Sequence, residues 1–118
     1  MGGIRLYSYA GCSTCRKALR WLEERGVTTP PIDITQQPPS RGELEQALAQ
    51  LGRQRLFNTS GQSYRSLGAA AVKAMDDHEA LEALAADGKL IKRPFLITDA
   101  GRILTGFKPE EWEALLAD

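Results

Sequence analysis

Cys12 and Cys15 are the two cysteines of the chain, separated by Ser13 and Thr14. If Cys12 lies just before the first turn of a helix and Cys15 one turn inside it, their sulfurs can approach closely enough to bridge without distorting the backbone. The pair can then cycle between dithiol and disulfide. A thiolate is the attacking species in such exchange. At a helix start, Cys12 gains unpaired N–H groups, the positive end of the helix dipole and the neighbouring cations of Arg16 and Lys17, all of which favour the thiolate. Cys12 is therefore the candidate nucleophile and Cys15 the candidate resolving thiol. Free cysteine is also a small buried hydrophobe. Cys15 falls on an apolar stripe with Ala18, Leu19 and Leu22, so a packing role is its competing account. Structural zinc takes four Cys or His ligands, and beyond this pair the chain offers only His78. No metal and no bound cofactor are expected.

That chemistry requires a strand, a tight turn and a helix in succession. Ile4 to Tyr9 is rich in strand formers. Ser13 or Thr14 can cap the helix that follows, and Gly26 supplies its stop. Extended structure resumes over Val27 to Ile34, where Pro30 and Pro31 confine regular pairing to Ile32 through Thr35. This makes a βαβ unit with parallel strands. After the breaker Gln36-Gln37-Pro38-Pro39, Ser40 and Glu43 have capping-box spacing for a second helix. Leu44, Ala47, Leu48 and Leu51 form its apolar face, and Gly52 ends it.

Arg53 to Arg65 is polar, partly basic and without a clear period. It reads equally as a binding loop or as a solvated connection. Gly68 to Met75 is alanine-rich and helical in character, and Asp76-Asp77-His78-Glu79 opens a further helix with acidic residues at its start. Ala80, Leu81, Leu84 and Ala85 are its buried side, Gly88 its stop, and His78 a surface residue. Phe95 to Thr98 and Ile103 to Gly106, joined by Asp99-Ala100-Gly101-Arg102, predict a β-hairpin. Pro109 suits the first position of a last helix that turns Trp112, Leu115 and Leu116 inward. The order is β-α-β, a helical excursion, then β-β-α.

One hundred and eighteen residues suit a single domain over residues 1–118. Fifteen basic residues balance fifteen acidic ones. No field of one sign therefore points to direct nucleic-acid binding or to an anionic membrane. No run approaches the roughly twenty apolar residues of a membrane helix, and no secretory leader is evident. A cytoplasmic monomer is expected. In that compartment two closely spaced cysteines point to catalysis or redox sensing more than to a structural bridge.

A more specific likeness rests on four stretches: Tyr9-Ala10-Gly11-Cys12-Ser13-Thr14-Cys15-Arg16-Lys17-Ala18, Leu56 through Arg65, Ile91-Lys92-Arg93-Pro94, and Gly106 through Trp112. Together they resemble the arsenate reductase (ArsC)/Spx family. The resemblance implies an α/β, thioredoxin-like (glutaredoxin-like) fold, with β-α-β and β-β-α halves around an inserted helical segment. It places the family's reactive cysteine on Cys12 and its Arg-Pro motif on Arg93-Pro94, with a cis proline beside the cysteine loop. Arg93 would offer a fixed fork of donors to an anion near the Cys12 sulfur. Ser13, Thr14, Arg16, Asn58, Arg65 and Pro94 would complete the substrate site.

Departures from the family pattern separate its activities. Glutathione-coupled arsenate reductases hold the oxyanion with three arginines. Here Asn58 stands near the first position and Phe107 at the last, leaving Arg93, with Arg65 a partial substitute. Each lost charge-assisted bond is worth roughly 1.5–3 kcal/mol. Those enzymes also use one cysteine in this loop, whereas Spx regulators carry a C-x-x-C switch and grip the RNA polymerase α subunit through a surface that includes a glycine matching Gly52. The resemblance thus implies a thiol-disulfide oxidoreductase reduced by glutathione, glutaredoxin or thioredoxin. An arsenate reductase and a redox-switched regulator are the alternatives.

Overall fold

The computed structural model describes residues 3–117. Its frame is a four-stranded sheet in the order β2-β1-β3-β4. β1 (Ile4–Ser8) pairs in parallel with β2 (Ile32–Asp33), Tyr7 opposite Ile32, and antiparallel with β3 (Phe95–Thr98), Tyr7 opposite Phe95. β3 and β4 (Ile103–Thr105) form the expected hairpin. The β2 ladder is shorter than the expected Ile32–Thr35. Asp33 accepts hydrogen bonds from the Thr35 backbone N–H and hydroxyl at 2.9 and 2.6 Å, an Asx turn that bends the chain out of the sheet.

Side-chain alternation sorts the strands into two faces. Leu6 and Leu96 point to one, packed with Ala18, Trp21, Leu22 and Trp112. These come from α1 (Ser13–Glu24) and α6 (Pro109–Leu116). Tyr7, Phe95, Ile97 and Ile103 point to the other, covered by Leu44 and Ala47 of α2 (Arg41–Leu51) and by Ala80, Leu81 and Leu84 of α5 (Asp77–Ala86). The mixed α/β architecture is thioredoxin-like.

The helix ends follow the sequence with two corrections. α2 carries the expected Ser40–Glu43 capping box, and Asp76 with Glu79 forms a second one on α5. Gly26 takes φ +75° just past α1, as a stop requires. Neither Ser13 nor Thr14, however, caps α1. The helix already begins at Ser13, so the cap position falls on Cys12, whose sulfur accepts the Cys15 N–H at 3.2 Å. The second correction is Gly88, which is no positive-φ stop. Asp87 ends α5, and a Cβ on Gly88 would lie 1.8 Å from the Ile34 carbonyl oxygen. Glycine is needed there because two backbones touch.

The aperiodic stretch after Gly52 is folded by long-range bonds that no local pattern reveals. Phe57 bridges Ile91, Asn58 N–H donates to the Leu90 carbonyl, and Lys92 N–H donates to the Leu56 carbonyl, both at 2.8 Å. α3 (Gln62–Leu67) and α4 (Ala69–Ala74) then lead into α5. Pro109 opens α6 as expected, and the buried Trp112 donates from Nε1 to the Gly106 carbonyl at 3.1 Å.

Candidate functional site

The cysteine loop emerges where β1 ends and α1 begins. Cys12 N–H donates to the Tyr9 carbonyl at 3.0 Å, closing the turn. Arg16 folds back, its Nη1 donating to the Ala10 carbonyl at 2.7 Å, so this cation clasps the loop. The Tyr9 ring lies against Gly11, where an added Cβ would come 2.9 Å from the ring edge. Ser13 and Thr14 are exposed in the first helical turn. Their N–H groups are the ones a helix start leaves without an intrahelical acceptor.

The two thiols sit in different surroundings. Cys12 is partly exposed, whereas Cys15 is completely buried. Burial pushes the Cys15 thiol up to about 11. The neighbouring Cys12 adds to this, while the Tyr9 backbone and the Ser8 hydroxyl act in the opposite sense. Cys12 Sγ accepts the Cys15 N–H, which sets the two residues side by side. Ser8 and Tyr9 were missed in the sequence. Alternation along β1 could have marked Ser8, because a polar residue ends a strand whose neighbours Leu6 and Tyr7 are buried.

Arg93-Pro94 leads into β3, which runs antiparallel to β1 and so begins beside the β1 end. The peptide between them is cis, as the resemblance implies. Pro94 is buried and its carbonyl accepts the Gly106 N–H at 2.9 Å, tying this segment to the end of β4. The Arg93 guanidinium lies over the Tyr9 ring, 5.1 Å from its centroid, with Nη1 donating to the Lys89 carbonyl at 3.4 Å. Tyr9 thus links Arg93 to the cysteine loop.

The remaining candidates are less closely assembled. Asn58 is joined by its backbone to Leu90, in the turn before Arg93. Arg65 is exposed in the last turn of α3, and Gly52, at φ +83°, ends α2 on the sheet face opposite α1. Among the described residues no hydrogen bond or ion pair ties either one to the cysteine loop. Phe107 packs edge-on against Trp112 and Trp21, with centroids 5.1 and 5.9 Å away. That position is built for an apolar ring.

Two clefts lie away from the cysteines. A cleft of about 720 Å³ lined by Ile4, Trp21 and Leu115 opens at the other end of β1. Another, of about 530 Å³, runs between α3 and α5. The cysteines line neither. Among the described residues, no cluster of three His, Cys, Asp or Glu could hold a metal ion, and no helix is long and apolar enough to cross a membrane.

The model of the ArsC family matches residues 7–115. The uncharacterized protein YusI of Bacillus subtilis is 44% identical over 93% of this chain and 95% of its own. The global transcriptional regulator Spx of Streptococcus pneumoniae is 30% identical, covering 96% of this chain and 85% of that one. Among solved structures, that of a possible arsenate reductase from Streptococcus mutans superposes with a TM-score of 0.84 at 35% identity, covering 96% of this chain and 99% of the other.

Proposed function

Because the chain belongs to the ArsC family, we propose that its cysteine pair makes it a cytoplasmic thiol-disulfide oxidoreductase, with Cys12 as nucleophile and Cys15 as resolving thiol. The observation that carries this reading is the asymmetry of the pair: a partly exposed sulfur at the helix cap beside a buried one whose N–H points at it. The exposed sulfur meets the substrate, and the buried thiol stays protonated until the first step is over.

Cys12 thiolate attacks one sulfur of a disulfide substrate. The S–S bond breaks, a mixed disulfide forms on Cys12, and the first substrate thiolate leaves to take up a proton from water. Cys15 then loses its proton to water and attacks the Cys12 sulfur. A Cys12–Cys15 disulfide forms and the second substrate thiolate departs, so two electrons have passed from the protein to the substrate. Glutathione, alone or through glutaredoxin, or thioredoxin returns the pair to the dithiol. The Ser13 and Thr14 N–H groups face negative charge at the helix start. Arg93, held over Tyr9, offers its free donors to a carboxylate of a glutathione-like substrate. The partial exposure of Cys12 suits a substrate sulfur borne on a peptide or protein.

A second reading is favoured by the likeness to Spx. In a redox-switched regulator the same disulfide would alter a surface that grips the RNA polymerase α subunit, and Gly52 lies exposed at the end of α2 for such a contact. Mass measurement through a series of glutathione redox buffers, with alkylation of remaining thiols, tests the oxidoreductase. Loss of two hydrogens without an adduct is expected. A lasting single glutathione adduct on Cys12, with Cys15 still free, would overturn the resolving role.

A further inference from the structure

We infer that the Ser8 hydroxyl is the hydrogen-bond donor that lets the buried Cys15 sulfur act as a nucleophile, a role that rests on the resolving function proposed for Cys15. Among the described residues, Ser8 and Thr105 are the buried polar side chains, Ser8 being 5% exposed. Alternation along β1 sets Leu6 and Ser8 on the same face, and Leu6 packs with Ala18, Trp21 and Leu22 of α1. Ser8 is thus the last residue of β1 beneath the first turn of α1, where Cys15 opens the buried stripe that continues through Ala18 and Leu22. The ladder occupies only its backbone, the Ser8 carbonyl accepting the Ile34 N–H at 2.9 Å, and its hydroxyl acts to hold the Cys15 thiol down against the rise that burial causes.

The chemistry gives that contact a purpose. In the resolving step Cys15 releases a proton to water, its thiolate attacks the Cys12 sulfur of the mixed disulfide, and the departing thiolate carries away the electron pair of the old S–S bond. Negative charge must therefore develop on a sulfur shut away from solvent, which is costly without donors. The Tyr9 N–H is one donor and is fixed by the backbone. Ser8 is the other, and as a side chain it is the one that substitution can remove. An apolar residue at the same place would pack as well and would leave the developing thiolate with one donor fewer.

The reaction of the reduced protein with one equivalent of 5,5′-dithiobis(2-nitrobenzoate) separates the two steps. The first release of thionitrobenzoate reports attack by Cys12, and the second reports attack by Cys15 on the mixed disulfide. In Ser8→Ala the second phase is expected to slow about tenfold at neutral pH and its pH profile to move upward by about one unit, with the first phase unchanged. Ser8→Thr should keep the second phase and its isostere Ser8→Val should lose it, a comparison that holds if Ser8→Ala misfolds. A second phase with unaltered rate and pH profile in Ser8→Ala, or equal rates in Ser8→Thr and Ser8→Val, would overturn the role of Ser8 alone. Absence of a second phase in the unmodified protein, as in Cys15→Ser, would overturn the resolving function and the Ser8 role with it.

Discussion

The Cys15 backbone N–H points at the Cys12 sulfur from 3.2 Å, so the proposed nucleophile is also the N-cap of α1. One sulfur has two duties, which a substitution can separate. Serine accepts from a helix N–H as well as or better than a thiol, whereas alanine accepts nothing. Cys12→Ser should abolish thiol exchange at no cost in stability. Cys12→Ala should abolish it and also lose about 1 kcal/mol, or about 4 °C in Tm for a domain of this size. Thermal unfolding followed by circular dichroism reads the difference, and equal midpoints for the two variants would deny the cap.

That cap also shows what was legible in the sequence. The strand, turn and helix around Cys12, the capping box at Ser40, the hairpin and Pro109 are written in local patterns a few residues long, and the structure follows them. The identity of the α1 cap depended on a one-residue shift in where the helix begins, and local propensity does not resolve such shifts. Within the stretch from Arg53 to Arg65, Leu56 to Asn58 are set by pairing with Leu90 to Lys92, more than thirty residues away in the chain, and no local signal encodes that register. Within the candidate site the cysteines and Arg93 stand out by residue type. Ser8 ends a strand and Tyr9 follows it, and neither stands out until the fold sets α1 and Arg93 against them.

Gly88 is the clearest case of a local reading displaced by a distant contact. Its Cα approaches the Ile34 carbonyl so closely that an added Cβ would stand 1.8 Å from the oxygen. The obstacle is backbone, which cannot swing aside as a side chain would. Gly88→Ala must part the segment after α5 from the chain after β2. A loss above about 4 kcal/mol is expected, in the range reserved for a few severe mechanisms. Gly26→Ala, strained only by its φ, should cost about 1 kcal/mol. Urea denaturation of the two variants side by side checks the ranking, which would be reversed if Gly88 were merely a helix stop.

Burial of Cys15 makes stability depend on pH above neutrality. Its thiol titrates at about 11 in the folded protein against 9.0 for the free group. A raised folded value means that the native state holds the proton more tightly than the unfolded state. The stabilisation is therefore full below pH 9.0 and is lost as pH climbs through about 11. The loss across that window amounts to about 2 kcal/mol. Cys15→Ala should show a flatter profile there, because the other titrating groups are common to both proteins. Urea midpoints at the two ends of the window test this, and parallel curves would mean that Cys15 ionises as freely in the native state as in the unfolded one.

Arg93 lies over Tyr9 with part of its fork engaged by the Lys89 carbonyl. If its remaining donors meet a carboxylate, then charge on the substrate governs their contribution. Arg93→Ala should slow reduction of glutathione disulfide about tenfold, the equivalent of one charge-assisted hydrogen bond. Reduction of an uncharged disulfide such as that of 2-mercaptoethanol should change little. Arg93→Lys keeps the charge but not the fork, and should fall between. Stopped-flow rates with both substrates decide the matter: equal losses would place Arg93 among the residues that merely shape the loop.

Phe107 argues against arsenate as a substrate more firmly than the residue types alone. Family members that grip the oxyanion with three arginines have one of them at this position. Here an aromatic ring takes its place and packs edge-on against Trp112 and Trp21. The replacement is thus part of the packing between α1 and α6, its ring half-buried against the edge of that cluster. Phe107→Arg should lose about 2 kcal/mol of stability from the ring's burial and edge contacts. It should gain no arsenate chemistry, because Asn58 leaves a second arginine still missing. The measurement is loss of free thiols in millimolar arsenate, followed for the unmodified protein and for Phe107→Arg. Both should remain fully reduced. Oxidation of the unmodified protein would show that Arg93 and the helix start suffice to hold an arsenate dianion, and the three-arginine requirement would then not apply to this site.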